Sequence, residues 1–222
     1  MKERFNAEWK KIKAMEGPVK REYIWDYYKI HIIATIIVLA MLGSILNDTV
    51  INPPPRSALT IAWMSPFEPE PALRSLSEAL YPAIVDNPAR QTVQVMSFFM
   101  IGDPQHDMAQ HQRFSAMSAA RELDIIIGDF TEFEGDQNLV GLGLAPSWVF
   151  HDLRPILAEA GLNSENLLFG ETDEGEELAF GISLEGSTLF EELGISTTGR
   201  YLGVVVNTDR YEAVIEAIRK LW

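Results

Sequence analysis

The longest apolar stretch of the chain covers residues 30–46, from Ile30 to Leu46, and contains no Asp, Glu, Lys or Arg. With the three residues that precede it, a helix of this stretch is roughly 30 Å long, which is the thickness of the hydrocarbon core of a bilayer. Trp25, Tyr27 and Tyr28 lie at its start, where aromatic side chains mark the headgroup level. The pattern predicts one transmembrane helix over residues 30–47.

Charge on the two sides of this helix predicts its orientation. Residues 1–29 contain eight Lys or Arg and five acidic residues, whereas Asn47 and Asp48 follow the span. Because positive loops stay in the cytoplasm, we expect a single-pass protein of the cell membrane with a cytoplasmic amino terminus and an extracellular carboxyl-terminal domain. The lipid bilayer is then a partner through residues 30–46.

The apolar stretch has two other interpretations. A cleaved signal peptide has a shorter apolar region of about 7–15 residues, although the sequence leaves cleavage open. A buried core helix of a soluble protein usually lacks an aromatic and basic collar at one end. Both are weaker than the membrane anchor.

The segments on either side of the span have distinct patterns. Phe5, Trp9 and Ile12 recur at helical spacing among lysines, so residues 1–29 are predicted to form a basic amphipathic segment in the cytoplasm. Such a segment lies on lipid or docks on a protein. Residues 48–57 include three consecutive prolines and are predicted to form a stiff linker.

Beyond residue 57, short apolar runs alternate with amphipathic stretches. Residues 58–63, 92–99 and 123–128 have the pattern of buried strands, whereas residues 71–85 and 103–121 have helical spacing. Strands that alternate with helices predict an α/β domain over residues 58–222 with a mainly parallel sheet.

The second half is less regular. We predict a turn that starts a short helix at residues 129–134, and a loop or short strand at 141–145. Residues 148–160 carry an apolar pattern interrupted by Pro155, which fits the first turn of a helix that ends at Gly161. Two strands at 167–170 and 178–184 flank an acidic turn, a short helix covers 187–193, and a last strand covers 201–207. Asp209 is predicted to cap a final helix.

Composition narrows the classes of function. The net charge is −14, and residues 30–222 contain 27 acidic and 10 basic residues, which disfavours nucleic acid and anionic lipid as partners of the outer part. The chain contains no Cys, which excludes a disulfide framework and a lipid anchor on Cys. The size of the region after the linker fits one domain.

Candidate catalytic and metal-binding groups do not assemble in the sequence. His106 and His111 lie five residues apart on a predicted helix beside Asp103 and Asp107, so they do not line up as the three or four ligands that a metal needs. The acidic turn lacks the spacing of a calcium loop. Ser183 lies near a nucleophile-elbow pattern that is one residue off, and no base can be assigned to it. We therefore expect no enzyme activity, no metal and no cofactor.

Four short motifs carry a family resemblance. They are LDIIIGDFTEF at 123–133, DLRPIL at 152–157, AFGISL at 179–184, and YLGVVVN at 201–207 followed by a helix with AVIEAIRKL. In this order they resemble the extracellular solute-binding family, which has the type II periplasmic-binding-protein fold. The whole chain also resembles small single-span proteins of Gram-positive bacteria. Because complete solute-binding proteins of this type have two lobes and are roughly twice the size of this ectodomain, the resemblance implies a reduced second lobe.

The resemblance implies a ligand cleft at the carboxyl ends of the strands, where open α/β sheets bind. The residues expected to face this cleft are Met64, Ser65, Gly128, Asp129, Ser183 and Ser187. A structural alternative is that Ser65 and Asp129 are helix caps.

Two functions follow as hypotheses. In the first, the ectodomain captures an unknown small molecule without catalysis and presents it to a transporter or sensor. In the second, the chain is an interaction or assembly subunit of a membrane complex that reuses the binding fold without a ligand. The sequence names neither the ligand, the partner protein, the process nor the oligomeric state.

Overall fold

The computed structural model describes residues 9–10, 13–64, 70–98, 103–129, 149–163, 166–172 and 174–222. The chain divides into two compact units, Met1–Pro54 and Pro55–Trp222. The predicted turn at 129–134, except Asp129, and the predicted loop at 141–145 lie outside the described residues, as does Ser65.

The described part of the first unit is dominated by one long helix. Helix α1 covers Gly17–Leu46 and is followed by a π-helical turn, Asn47–Ile51. Pro18 lies in the first turn of α1. Backbone N–H groups there have no intrahelical acceptor, so the missing N–H of proline costs no hydrogen bond. Among the described residues, one helix, Gly17–Ile51, is long and apolar enough to cross a membrane, and its most apolar part is not buried.

The second unit is an α/β domain with a six-stranded sheet. Its first half contains β1 (Arg56–Met64), α2 (Glu70–Ile84), β2 (Gln91–Ser97), α3 (Pro104–Ala119) and β3 (Ile125–Gly128). Its second half contains α4 (Leu153–Ala160), β4 (Leu167–Glu171), β5 (Glu177–Ser183), α5 (Thr188–Glu192), β6 (Tyr201–Val204) and α6 (Tyr211–Leu221).

The sheet is mixed, whereas a mainly parallel sheet was predicted. The strand order is β2-β1-β3-β6-β5-β4. Strand β1 is parallel to β2 and β3, but β6 is antiparallel to both β3 and β5, and β4 is antiparallel to β5. Strands and helices alternate strictly only in the first half of the domain. In the second half β4 and β5 follow each other directly, and the short turn between them permits only an antiparallel pair.

Two apolar clusters cover the two faces of the sheet. On one face, Leu59, Ile61 and Trp63 of β1 pack in the cluster that also contains the buried residues of α2, α4, α5 and α6. On the other face, Ala62 and Met64 pack with Phe98, Phe114 and Ile126. The alternation along β1 therefore places α2 and α3 on opposite faces of the sheet.

Strand β6 makes the tightest backbone approach on the second face. A Cβ added at Gly203 would lie 2.5 Å from Cε1 of Phe150 and 2.9 Å from the carbonyl oxygen of Phe180. Phe150 and Phe180 stack with ring centroids 5.8 Å apart, and Phe150 forms an isolated bridge with Val205. Only glycine leaves room for these rings against the strand.

Helix boundaries follow recognisable signals, with one correction. Asp103 and Asp152 accept backbone N–H groups at the starts of α3 and α4, and Gly161 ends α4 with a φ of 78°. The predicted cap Asp209 does not cap α6: the helix begins after Arg210 with no side-chain cap hydrogen bond. The Asp209 carboxylate instead pairs with Arg121 at 2.9 Å.

Candidate functional site

Three of the six predicted ligand residues lie in one row at the end of the sheet. Met64 is paired with Gly128, Gly128 with Tyr201, and Tyr201 with Ser183. Strands β1, β3 and β5 end at this row, at Met64, Gly128 and Ser183, and β6 begins there at Tyr201. Because neighbouring strands lie about 4.8 Å apart, Met64 and Ser183 are separated by roughly 14 Å.

The other predicted residues have different surroundings. Asp129 follows Gly128 and is exposed, whereas Ser65 lies outside the described residues. Ser187 is fully buried, and its Oγ donates to the carbonyl of Leu221 at 2.6 Å. The Oγ of Ser183 accepts the N–H of Glu185 at 3.2 Å. The hydroxyls of both serines are therefore engaged within the fold.

Trp63 lies next to this row, one residue before Met64. It is fully buried, and the Arg200 guanidinium lies 5.0 Å from the centroid of its ring. Arg200 also donates to the carbonyl of Ser196 at 2.6 Å. The indole N–H of Trp63 has no hydrogen-bond partner in the described part of the chain, which makes it one of a few unsatisfied buried polar groups there.

A groove of about 1130 Å³ lies in the first half of the domain, along the edge strand β2. Strand β2 is the first strand of the sheet and pairs with β1. Helix α2 forms one wall of the groove, and Arg113 of α3 contributes from the opposite face of the sheet. The lining residues are Glu70, Pro71, Leu73, Arg74, Ser77, Val93, Gln94, Val95, Met96, Ser97 and Arg113.

Three charged side chains, Glu70, Arg74 and Arg113, line the groove. The Arg113 guanidinium lies 4.9 Å from the centroid of the Phe98 ring, and its Nη2 lies 3.7 Å from Sδ of Met96. No carboxylate of the described residues forms an ion pair with Arg113. Arg74 donates to Glu78 at 2.9 Å, but its side chain is 80% exposed. Arg113 is therefore the one lining cation without an ion pair among the described residues, on a domain with 26 acidic and 10 basic residues.

A buried ion pair lies at the amino end of β3. Asp124 is fully buried, and its Oδ2 accepts the N–H of Thr60 at 2.7 Å. Its Oδ1 accepts from Nε of Arg210 at 2.8 Å and from the hydroxyl of Thr208 at 2.5 Å. These hydrogen bonds and the opposite charge of Arg210 compensate the carboxylate for its loss of water contacts.

Arg210 extends the same cluster to two more backbone groups. Its Nη1 donates to the carbonyl of Ser57 at 3.0 Å, and its Nη2 donates to the carbonyl of Arg121 at 3.1 Å. The cluster therefore connects the start of β1, the residues before β3 and the start of α6. One signal in the sequence points to this cluster: Asp124 lies within the apolar run LDIII, and a carboxylate in a buried segment requires a partner.

His151 and Tyr211 form a second polar pair at this end of the sheet. The Tyr211 hydroxyl lies 2.6 Å from Nε2 of His151. Burial lowers the pKa of His151 from its ordinary value, and a hydrogen bond with the backbone of Val206 opposes this shift. Burial also raises the pKa of the Tyr211 hydroxyl. Both shifts favour the neutral forms of the pair.

The residues considered as metal ligands do not converge. Asp103 caps α3, and the described residues contain no group of three or more His, Cys, Asp or Glu side chains that could hold a metal ion. His106, Asp107 and His111 lie along α3.

Two surfaces of the domain are therefore candidate binding sites: the row of Met64, Gly128 and Ser183 at the sheet end, and the groove along β2. The clusters around Asp124 and His151 consist of groups bonded to one another within the fold. Comparisons of the chain with models of protein families, with curated proteins and with solved structures gave no match. Function is therefore inferred from the geometry of these surfaces.

Proposed function

We propose that this chain is a membrane-anchored, non-catalytic interaction subunit, in which α1 spans the membrane and the domain Pro55–Trp222 binds a protein partner outside the cell. The observation that carries the proposal is the groove beside the edge strand β2. The partner is a membrane protein, such as a transporter, or a protein held close to the membrane surface.

The sequence of β2 supports this role. An edge strand exposes backbone N–H and C=O groups that pair with other chains, and proteins usually protect such edges with charged residues, proline or bulges. Strand β2 has the sequence QTVQVMS, with no charged residue, proline or glycine. The strand at the other end of the sheet, β4, has the sequence LLFGE, which contains a glycine and a glutamate. Among the described residues, β2 pairs only with β1, and an edge strand with a groove beside it is typical of strand-addition binding sites.

The anchor supports an extracellular location. The apolar helix of the first unit is long enough to cross the bilayer, and the excess of Lys and Arg before it favours a cytoplasmic amino terminus. A domain tethered in this way meets partners that share its membrane, because tethering raises their effective concentration.

The mass of the protein in its own membrane tests this function. The full-length chain is extracted in polymer-bounded native nanodiscs without detergent, and its mass is compared with the 24.9 kDa of the chain alone. The matched control carries residues 1–54 fused to an unrelated soluble domain. We expect a larger complex for the full chain and a lone chain for the fusion. Recovery of the full chain as a single 24.9 kDa species would overturn the proposal.

A second candidate is capture of a small ligand at the sheet end, as a solute-binding-like domain would do. The specific observation in its favour is the common row of Met64, Gly128 and Ser183. It is tested by thermal unfolding of the full chain with sugars, amino acids, peptides, nucleosides and metal ions. A ligand at about a hundred times its Kd adds about 2.7 kcal/mol, which raises the midpoint by roughly 5–10 °C. If none of these compounds raises the thermal midpoint, the result would count against ligand capture at the sheet end.

A further inference from the structure

We propose that the groove along β2 binds one extended segment of a partner protein that alternates apolar and acidic side chains, with an acidic side chain paired to Arg113. The inference rests on the proposed role as an interaction subunit and adds the conformation and chemistry of what is bound. It follows from the backbone direction of β2, the two walls of the groove and its charge.

The register of β2 fixes which backbone groups face the groove. Trp63 is opposite Ser97, and the N–H of Phe98 donates to the carbonyl of Trp63 at 2.8 Å. In a parallel pair, alternate residues of one strand point their backbone groups toward the partner strand. The backbone N–H and C=O groups of Val93, Val95 and Ser97 therefore point away from β1. The carbonyl of Val93 accepts from Ser77 Oγ at 2.7 Å, which leaves Val95 and Ser97 to pair with an added strand.

The two walls differ in chemistry, and this difference selects the side chains of the added strand. On the α2 side the lining includes Pro71 and Leu73, next to the apolar cluster that contains Val93, and also the charged residues Glu70 and Arg74. On the α3 side it includes Met96 and the Arg113 guanidinium. Because side chains of a strand alternate between faces, the added strand places one set on the apolar part of the α2 wall and the other set beside Arg113.

Charge complementarity selects acidic residues for the second set. Arg113 is held against Phe98 and Met96, so its position is defined, and the described residues supply it with no ion pair. A guanidinium in this setting binds a carboxylate with two parallel hydrogen bonds. On the α2 wall the charge of Arg74 is paired with Glu78, and Glu70 also lines the groove, so Arg113 is the group that selects the charge of the bound segment. A lysine placed beside Arg113 would meet a like charge and is disfavoured there.

Binding of synthetic peptides to the full-length chain in nanodiscs tests the inference. The probe is a fluorescent peptide of about seven alternating Val and Glu residues, which is enough for one strand. Two comparison peptides replace Glu by Lys or N-methylate alternate backbone nitrogens. We expect saturable binding of the Val and Glu peptide only, because the Lys peptide repels Arg113 and the methylated peptide lacks strand donors. No saturable binding up to about 1 mM would overturn the inference.

Protein variants locate the binding to the groove. Arg113→Glu is expected to weaken binding of the acidic peptide by about tenfold or more and to allow the Lys peptide to bind. The matched control Lys220→Glu makes the same charge change on α6, away from the groove, and should leave binding within about twofold. Val95→Pro removes an N–H that points away from β1 and should weaken binding without loss of the β1–β2 pair. Equal weakening by Arg113→Glu and Lys220→Glu would contradict a site at Arg113.

The peptide experiment tests the strand-addition site, and the nanodisc mass tests the role as an interaction subunit, so the two proposals can be refuted separately. A large native complex that survives Arg113→Glu, together with absent peptide binding, refutes the strand-addition site while the interaction subunit stands. A lone 24.9 kDa chain that still binds the acidic peptide refutes the interaction subunit but leaves the groove as a peptide site. A chain that is dimeric without peptide and becomes monomeric when the acidic peptide binds would show that a second copy, rather than a different protein, completes the edge, and would overturn the inference.

Discussion

The buried cluster around Asp124 and the groove along β2 both contain arginine, in opposite settings. Arg210 uses Nε, Nη1 and Nη2 to reach Asp124, Ser57 and Arg121, and its side chain is only 24% exposed. Arg113 is exposed, lies over an aromatic ring and forms no ion pair among the described residues. The first guanidinium is fully engaged by its own chain, whereas the second retains donors for a partner.

This difference separates stability from recognition. A buried charge pair contributes little net stability compared with apolar packing, but removal of one member leaves the other charge uncompensated. An exposed arginine can be changed at small cost to the fold, because water replaces what it loses. We therefore expect variants around Asp124 to change unfolding and variants in the groove to change binding.

The largest effect is expected for Asp124→Asn. The substitution keeps the shape of the side chain but removes the charge opposite Arg210, and breaking a buried pair in this way costs about 3–5 kcal/mol. For a domain of this size the thermal midpoint should fall by at least about 6 °C. Tryptophan fluorescence of the full chain in detergent micelles, followed against temperature, measures the change.

The control for this prediction comes from the other region. Arg113→Gln should shift the midpoint by no more than about 2 °C, since it removes an exposed charge without an ion pair in the described structure. Asp124→Asn, measured well below its midpoint, should bind the acidic peptide as the wild type does. A loss of binding with Asp124→Asn in the folded state would show that the two regions are coupled.

An intermediate effect is expected for His151 on acidification. Burial lowers the pKa of His151, so between this value and the unfolded value of about 6.5 the unfolded chain binds more protons than the folded chain. The contribution of His151 to stability is therefore present above about pH 6.5 and is lost as the pH falls through the lowered pKa. Thermal midpoints at about pH 7.5 and 5.5 should show a larger drop for the wild type than for His151→Gln.

Tyr211→Phe separates the two causes in this pair. It removes the hydroxyl that lies 2.6 Å from Nε2 of His151 but keeps the ring that covers the imidazole. Because burial is the main cause of the lowered pKa, the acid-induced drop should persist in Tyr211→Phe. If the drop disappears in this variant, the hydrogen bond rather than burial sets the titration.

The sequence predicted the elements of the domain better than their arrangement. Periodicity located α2 within one residue of its start and placed the strands before and after it, because local burial patterns carry that information. It did not predict that β6, late in the chain, inserts between β3 and β5 and makes the sheet mixed. That choice depends on packing between residues far apart in sequence, such as Gly203 against Phe150.

The candidate site was predictable only in part. The end of a strand can be estimated from pattern, so Met64, Gly128 and Ser183 fall in one row as the strand-end rule expects. The groove was missed because an edge strand and an inner strand with the same composition look alike until the strand order is known. Arg113 lies on a helix of low amphipathic character, and its contact with Phe98 joins residues on two different elements.

The smallest effect is expected for the exposed pair of Arg121 and Asp209, whose side chains are 59% and 68% exposed. A double-mutant cycle of Arg121→Ala and Asp209→Ala should give a coupling of about 0.2–1 kcal/mol that decreases with added salt. The cycle also tests whether Asp209 caps α6, because a cap would cost about 1 kcal/mol even in the Arg121→Ala background. In the structure the N–H of Arg210 donates to the hydroxyl of Thr208 instead, so Asp209→Ala should cost little once Arg121 is gone. A coupling well above 1 kcal/mol that resists salt would mean that exposure does not decide which charge pairs of this domain hold the fold.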